Sequence, residues 1–219
     1  MHDVIVVGAR VAGASTALLL ARRGLDVLVV DRASFPSETL SSHQVQVPGV
    51  ARLARWGVLG ALQAAGTPPT RRVRFDAGPV VLDAALPVVD GADALLSPRR
   101  SVLDTALVDA ARAAGAEIRE RCTLEEVLAS DGRVTGVRVR ERGGAPVTER
   151  ARLVVGADGR HSAVAKAVGA AAYHVKPALS TAYYTYWSGV ELGGGEIYSR
   201  ECVHRLVGAW PTNDGLVMT

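Results

Sequence analysis

Gly8 and Gly13 delimit a turn that could hold a phosphate-bearing ligand. An apolar run of β-branched residues precedes this turn at 4–7, and small residues and leucines typical of a helix follow it at 14–23. In such a strand–turn–helix unit, the first glycine makes the tight turn and the last lets the helix pack on the strand. A diphosphate can then bind the free N–H groups at the helix N-terminus, where the helix dipole is positive. We therefore predict that the N–H groups of residues 11–14 point at phosphate oxygens.

Arg10 stands where this motif usually carries its middle glycine. The backbone at that position approaches the diphosphate closely, so an arginine fits only with a φ angle that residues with side chains adopt readily. Its guanidinium could neutralise phosphate charge. We predict that the Arg10 side chain turns toward the phosphates or the following loop, and not into bulk solvent.

Asp31 follows a second apolar run, 27–30, and lies 23 residues after Gly8. A carboxylate in this place accepts hydrogen bonds from the adenosine ribose of a bound dinucleotide. Gly24, between the helix and the second strand, is a residue type that caps helix C-termini. Together these features indicate a dinucleotide-binding unit. The alternative is a plain β-α-β unit with a tight turn.

Two further segments carry candidate binding residues. Asp158 lies in a glycine-flanked turn that follows the apolar run 152–156 and leads into a predicted short helix, 162–168. It could serve a ligand or cap that helix. Arg100 lies at the start of a predicted helix, 101–114, where an arginine could contact a cofactor diphosphate or simply face solvent.

In this order, the three motifs resemble the FAD-dependent monooxygenases related to p-hydroxybenzoate hydroxylase and the geranylgeranyl-reductase-like flavoproteins. The likeness implies that the first motif is an FAD diphosphate loop and Asp31 its ribose acid. It implies that Asp158 takes part both in binding the FAD diphosphate and in the use of NAD(P)H. It also implies that Arg100 contacts FAD and that the segment 40–43 passes near FAD. The cofactor-binding residues expected on this basis are Gly8, Arg10, Val11, Ala12, Gly13, Asp31, Arg32, His43, Arg100, Asp158 and Gly159.

The resemblance also implies a function. The first hypothesis is an FAD-dependent, NAD(P)H-using monooxygenase that hydroxylates an aromatic or polyketide-like molecule through a flavin hydroperoxide. The second is a geranylgeranyl-reductase-like flavin reductase of double bonds. The third is a truncated or split FAD-binding module without catalysis. A flavin halogenase is less favoured, because the Trp-x-Trp-x-Ile-Pro motif of that group is missing. No side chain stands out as an acid or base, and the tyrosines and tryptophan of 183–187 could either line a substrate pocket or pack on a sheet.

The pattern of elements predicts an α/β fold. We expect a Rossmann-like FAD-binding domain with a parallel sheet, formed by residues 1–70 and 98–175, and part of an antiparallel substrate-domain sheet, formed by 71–97 and 176–219. The expected elements include a helix over 49–66 that Gly57 interrupts and strands over 117–119, 124–129 and 134–140, the last two joined as a hairpin by a turn at 130–132. A third buried strand is expected over 152–156, and further strands within 181–187, 195–198 and 203–210.

The resemblance further implies a glycine–aspartate motif, beyond the substrate domain, that holds the ribityl chain of the flavin. The only candidate after Asp158 is the sequence of 213–215, which the pattern predicts to be a hairpin turn. The run 216–219 is predicted to be a strand without a partner. We therefore expect the 219 residues alone to retain FAD poorly and to associate, or to need a second chain that completes the fold.

Composition bears on nucleic-acid binding, metal binding, the state of the thiols and the location of the protein. The net charge of +3 comes mainly from arginines scattered among acids, so we expect no nucleic-acid surface. Four of the five histidines, at positions 43, 161, 174 and 204, show no ligand spacing, and we expect no metal site. The two cysteines, Cys122 and Cys202, are expected to be reduced thiols. With no export leader and no apolar run long enough to span a bilayer, the sequence predicts a cytoplasmic protein that acts on a small organic substrate away from membranes.

Overall fold

The computed structural model describes residues 1–200 and 205–219. Contacts divide the chain into unit 1, residues 1–37 and 103–177, and unit 2, residues 38–102 and 178–219. In chain order the elements are β1 (His2–Val7), α1 (Val11–Ala21), β2 (Val27–Val30), α2 (Val47–Arg55), α3 (Leu59–Ala64), β3 (Pro69–Thr70), β4 (Arg72–Asp76), β5 (Val81–Ala85), β6 (Leu95–Leu96), α4 (Arg100–Ala113), β7 (Glu117–Arg119), β8 (Cys122–Ser130), β9 (Arg133–Glu141), β10 (Pro146–Gly156), α5 (Ala163–Ala167), β11 (Tyr186–Trp187), β12 (Gly195–Arg200), β13 (Arg205–Pro211) and β14 (Val217–Met218).

Unit 1 is built on a six-stranded sheet of order β7-β2-β1-β10-β9-β8. The first four strands pair in parallel, whereas β9 pairs antiparallel with both β10 and β8. The four residues of β2 and residues 4–7 of β1 are all buried, as continuous β-branched runs predict. The predicted α/β fold with a parallel sheet is confirmed.

Strand β10 differs from the prediction of a buried strand over 152–156. It is longer than expected, because residues 146–150 pair with β9 before residues 151–156 pair with β1. Val154 packs on the core that includes Val164 of α5, but Leu153 on the opposite face is 54% exposed. The apolar run therefore indicated the strand correctly but not its burial.

The predicted hairpin in unit 1 is confirmed. Strands β8 and β9 pair antiparallel up to Ser130 and Arg133, which leaves the two-residue turn Asp131–Gly132. Both turn residues have positive φ, 52° and 74°. This is the conformation that tight hairpins require and that Asp-Gly sequences favour.

Unit 2 contains a six-stranded sheet of order β11-β14-β13-β12-β4-β5 and the short pair β3-β6. The prediction of an antiparallel layer needs one correction, because β12 pairs in parallel with β4. The chain passes through unit 1 between these two strands, so no hairpin constrains their direction. Of the predicted strand region 181–187, only β11 pairs in the sheet. The first residues of the predicted strand 203–210, and Cys202, lie outside the described residues.

The structure bears on two predictions for the last residues of unit 2, a turn at 213–215 and a strand after it. The turn Asn213–Gly215 is a short 3₁₀ turn between the antiparallel strands β13 and β14, as the hairpin prediction requires. The terminal strand was predicted to lack a partner, and this is wrong: β14 pairs with β11 on one side and β13 on the other. Strand β14 is hydrogen-bonded to β11 and β13, and the sequence of residues 216–219 alone does not specify such partners.

By contacts, residues 38–70 and 98–102 group with unit 2, whereas the predicted FAD-binding domain covers 1–70 and 98–175, so the domain limits stay a prediction. Strand pairing is the cause of this grouping: β3 pairs with β6, and Val45 bridges Leu96. The helix predicted over 49–66 is two helices, α2 and α3, separated by Gly57 at φ 71°.

Candidate functional site

The glycine turn lies at the carboxyl ends of three neighbouring parallel strands of unit 1. Gly8 N donates to Val30 O of β2 at 2.8 Å, and Ala157 N donates to Val7 O of β1 at 2.8 Å. Strand β1 lies between β2 and β10. The sheet extends from β1 to β2 on one side and to β10 on the other, so the carboxyl end of β1 is a topological switch point. In open α/β sheets, ligands bind at such a switch point, outside the carboxyl ends of the strands.

Close backbone packing explains both glycines of the motif. Gly8 has φ +100°, and a Cβ built there would lie 2.4 Å from Ala157 O. A Cβ on Gly13 would lie 1.7 Å from Gly8 O, closer than any van der Waals contact. Gly13 therefore allows α1 to begin directly against the turn, as predicted from the sequence.

The N-terminus of α1 is suited to an anion. Its first helical bond is Ala14 N to Arg10 O at 2.8 Å, so the N–H groups of Val11, Ala12 and Gly13 have no acceptor within the helix. Val11 and Ala12 are exposed, and the first turn contains no acidic residue. Free donors and the positive end of the helix dipole therefore coincide at one accessible place.

Arg10 is compatible with the turn and has a defined position. Its φ of −81° is ordinary for a residue with a side chain. Nη1 contacts Asp104 Oδ2 at 2.6 Å, Nη2 donates to Ser37 Oγ at 3.2 Å, and the guanidinium carbon lies 5.7 Å from the Phe35 ring centroid. The side chain thus contacts α4 and the loop after β2 and does not point into bulk solvent. Its contact with phosphate stays a prediction.

Asp31, directly after β2, holds the glycine turn through a hydrogen bond to its backbone. Its Oδ2 accepts from Ala9 N at 2.6 Å and its Oδ1 from Ala33 N at 2.7 Å, and the residue is 9% exposed. A carboxylate has about four acceptor positions, so two further hydrogen bonds remain possible. Sequence reasoning placed this acid correctly at the end of β2 but missed that it also holds the glycine turn.

Asp158 binds the first turn of α5. Its Oδ2 accepts from Ala163 N at 2.6 Å and Val164 N at 3.2 Å, and Ser162 Oγ donates to its Oδ1 at 2.5 Å. Burial acts to raise the pKa of Asp158, but these hydrogen bonds outweigh it and lower the pKa. The carboxylate therefore satisfies two N–H groups in the first turn of α5, although the N-cap residue itself is Ser162, whose Oγ accepts from Ala165 N at 2.9 Å. Asp158 N also lies 3.0 Å from where a Cβ on Gly8 would be, so the residue stands beside the glycine turn together with Gly159.

The remaining predicted residues lie in unit 2. Arg100 is the first residue of α4, and His43 lies in the irregular segment before α2. His43 is 2% exposed and has φ +60°, an uncommon conformation for a residue with a side chain. The structure thus gathers nine of the eleven predicted residues in unit 1 and places His43 and Arg100 in unit 2.

A cavity of about 690 Å³ opens beside the loop that follows Asp31 in unit 1. The loop after β2 forms one wall with Arg32, and β8, β9 and their flanking turns form the other with Arg121, Arg140 and Arg142. Within the described residues, Arg32, Arg121 and Arg142 make no ion pair, whereas Arg140 Nε contacts Glu125 Oε1 at 2.5 Å. Apart from Arg32, sequence reasoning missed these arginines, because strand pairing alone brings them to the same cavity as Arg32.

The described part of the chain meets the requirements of neither a metal site nor a membrane-spanning helix. Residues 1–200 and 205–219 contain no cluster of three or more His, Cys, Asp or Glu suited to a metal ion. No helix among them is long and apolar enough to cross a membrane. Cys122 is a buried free thiol whose pKa is raised chiefly by burial.

Comparison with known proteins gives a family match. The FAD binding domain family matches residues 1–191. Two curated proteins match short stretches: hydroxyneurosporene desaturase of Rubrivivax gelatinosus, 54% identical over 48 residues, and menaquinone reductase of Mycolicibacterium smegmatis, 45% identical over 56 residues. These stretches cover 22% and 26% of this chain, and 9% and 14% of the two proteins.

Solved flavoprotein structures share the fold. The myxobacterial chondrochloren halogenase CndH superposes with a TM-score of 0.79 at 23% identity, and PqsL of Pseudomonas aeruginosa, a probable FAD-dependent monooxygenase, with 0.79 at 18%. A geranylgeranyl bacteriochlorophyll reductase-like protein of Thermoplasma acidophilum gives 0.77 at 19%. Each comparison covers 99% of this chain but only 51%, 59% and 55% of the other, so the chain spans about half the length of these relatives.

Proposed function

The chain belongs to the FAD binding domain family, and on this premise we propose that unit 1 binds FAD and that the protein is an NAD(P)H-dependent monooxygenase of an aromatic or polyketide-like small molecule. The observation that carries the proposal is the coincidence of free N–H groups at the start of α1 with Asp31 at the end of β2. These are the two contacts that hold a dinucleotide at its diphosphate and its adenosine ribose.

The groups of unit 1 fit the two chemical parts of this end of FAD. The N–H groups of Val11, Ala12 and Gly13 would bind the diphosphate, and the free acceptor positions of Asp31 would bind the ribose hydroxyls. The arginine-lined cavity beside the loop that follows Asp31 has room for the adenine ring, on which a guanidinium can stack. Arg10 would add positive charge beside the diphosphate while Asp104 fixes its position.

The chemistry of the reaction would come from the cofactor, which when bound takes electrons from NAD(P)H and delivers them to oxygen. The balanced reaction consumes NAD(P)H, a proton, oxygen and substrate, and yields NAD(P)⁺, water and hydroxylated substrate. The protein would bind and orient the partners and exclude water from the site.

A second candidate is a flavin reductase of double bonds. The observation that favours it is that one matching curated protein is a reductase by name, menaquinone reductase, and that one structural relative is reductase-like. The third candidate is an FAD-binding module without catalysis, for which binding of FAD is the whole function.

We expect the chain, supplied with excess FAD and NADPH or NADH and a panel of phenols and isoprenoid quinones, to convert a phenol into a product heavier by one oxygen atom. With isotopically labelled oxygen gas, that atom should carry the label, and one NAD(P)H should be consumed per product molecule. A product heavier by two hydrogen atoms, formed also without oxygen, would replace the first candidate with the reductase. FAD binding without any NAD(P)H oxidation would instead favour the non-catalytic module.

A further inference from the structure

The hairpin of β8 and β9 in unit 1 places two arginines directly opposite each other. Arg142 N donates to Arg121 O at 2.9 Å, which extends the ladder by one pair beyond Cys122 and Glu141. Like charges in directly opposite positions of an antiparallel pair destabilise the sheet. Within the described residues, neither Arg121 nor Arg142 makes an ion pair that would offset this repulsion. The open end of the hairpin therefore carries uncompensated positive charge.

The next arginine along β9 shows how such a charge is normally compensated. Side chains two residues apart on a strand point to the same face, so Arg140 lies on the same face as Arg142. The Nε of Arg140 contacts Glu125 Oε1 at 2.5 Å, across the same hairpin. The hairpin thus supplies an acid for Arg140 and none for the pair at its end.

The acids around this pair leave most of its charge in place. Glu120, the residue before Arg121, accepts hydrogen bonds from Arg112 and from Phe35 N, so its carboxylate is already engaged. Glu141 lines the cavity and makes no ion pair within the described residues. The walls of the cavity carry four arginines and two glutamates, which is a net charge of +2.

Backbone hydrogen bonds attach this end of the hairpin to the loop after β2. Arg121 N donates to Ala33 O at 2.9 Å, and Cys122 N donates to Asp31 O at 2.8 Å. Arg121 has a φ of 53°, which is uncommon for a residue with a side chain, and both its N–H and its carbonyl are held in hydrogen bonds. The backbone segments that carry Arg32, Arg121 and Arg142 therefore have a fixed spacing around the cavity.

The cavity has the size and the groups that a small phosphorylated ligand requires. Its volume of about 690 Å³ lies within the range of about 300–1,000 Å³ that small-molecule pockets occupy, which exceeds the need of an adenine ring at Arg32. Guanidinium groups bind phosphate oxygens through two parallel hydrogen bonds, and the hydroxyl groups of Ser34 and Thr123 in the walls can donate further ones. A phosphate monoester carries a charge of about −1.5 to −2 at pH 7, which the net charge of the walls would balance.

We propose that this cavity binds a phosphate dianion between Arg121 and Arg142, either as the free ion or as the monoester group of a small metabolite. The bound anion removes the repulsion between the two guanidinium groups, whereas Glu141 opposes its binding. The site is separate from the place proposed for the FAD diphosphate at the start of α1. The inference goes beyond the proposed function, because binding of the anion requires neither FAD nor NAD(P)H.

Calorimetric titration of the chain with inorganic phosphate, and separately with ribose 5-phosphate, tests this site, and it is done with and without FAD. We expect saturable binding of one phosphate group. Arg121→Gln and Arg142→Gln should each weaken the affinity about tenfold, the effect of losing a hydrogen bond between charged groups. Glu141→Gln should strengthen it by roughly two- to fivefold, because it removes a negative charge from the wall.

Arg133→Gln is the matched control for these variants. Arg133 is exposed at the start of β9, at the opposite end of the hairpin, and does not line the cavity. It changes the net charge of the chain as much as Arg121→Gln does, and the affinity for phosphate should stay that of the native chain. All of these residues are exposed, so the fold is expected to persist, which circular dichroism checks.

Tighter binding of ribose 5-phosphate than of inorganic phosphate would identify a monoester as the ligand, and equal affinities would identify the free ion. Absence of saturable binding of both would overturn the proposal. Equal affinities of the native, Arg121→Gln and Arg142→Gln chains would also overturn it and would place the anion elsewhere, such as the start of α1. A failure of FAD binding or NAD(P)H oxidation would count against the proposed function and leave this titration unaffected.

Discussion

Gly13→Ala should abolish FAD binding and lower the stability of unit 1 by at least about 3 kcal/mol. The added Cβ would lie 1.7 Å from Gly8 O and 2.8 Å from Gly8 C. Both neighbours are backbone atoms, so no side-chain rotation can relieve the overlap. Relief requires α1 to move away from the turn, which displaces the N–H groups that would bind the diphosphate.

Gly60→Ala is the matched control for this substitution. Gly60 lies within α3, its φ is not positive, and an added Cβ would meet nothing within 4 Å. Alanine favours a helix over glycine, so this variant should be unchanged or more stable by up to about 1 kcal/mol. Thermal unfolding and FAD titration of both variants supply the measurement. A Gly13→Ala protein that binds FAD like the native chain would show that the close packing at the turn is not required.

Arg10→Met should destabilise the chain by about 3 kcal/mol in the absence of any ligand. Asp104 is fully buried, and the substitution removes its ion pair with Arg10 at 2.6 Å. Loss of one partner from a buried pair is costly, because the remaining charge stays in a poorly solvating environment. If Arg10 acted only on phosphate, the stability of the ligand-free chain would not change.

A double substitution separates the ion pair from other roles of Arg10. Adding Asp104→Leu to Arg10→Met removes the buried charge, so most of the lost stability should return. Arg23→Met, at an exposed arginine just after α1, should change stability by less than about 0.5 kcal/mol. Denaturant unfolding of the four proteins gives the free energies. Equal stability of native and Arg10→Met chains would contradict the structural role of the pair.

The sequence predicted the dinucleotide-binding unit because its determinants are local. Two buried strands, a glycine turn, a helix and an acid lie within residues 3–31, and each is decided by neighbours a few residues away. The hairpin of β8 and β9 could be predicted for the same reason, since its Asp-Gly turn is encoded between the strands that it joins.

Features that depend on distant segments were not predictable in this way. Arg10 meets Asp104 across 94 residues, and His43 meets Tyr186 across 143, so no spacing rule relates them. The same holds for the parallel pairing of β12 with β4 and for the two partners of β14. Asp158 shows a different limit: one carboxylate can bind the N–H groups in the first turn of a helix and stand beside a ligand site, and its sequence context favours both.

The most direct test of the account is the affinity of the chain for ADP, which carries the adenosine and diphosphate of FAD without the flavin. We predict that ADP competes with FAD whereas FMN does not, and that Asp31→Ala weakens ADP binding by about 1 to 3 kcal/mol, the range for lost hydrogen bonds to a charged group. Asp26→Ala, which removes an exposed carboxylate just before β2, should leave the affinity unchanged. Equal ADP affinities of the native and Asp31→Ala chains, or displacement of FAD by FMN alone, would contradict a nucleotide site at the start of α1.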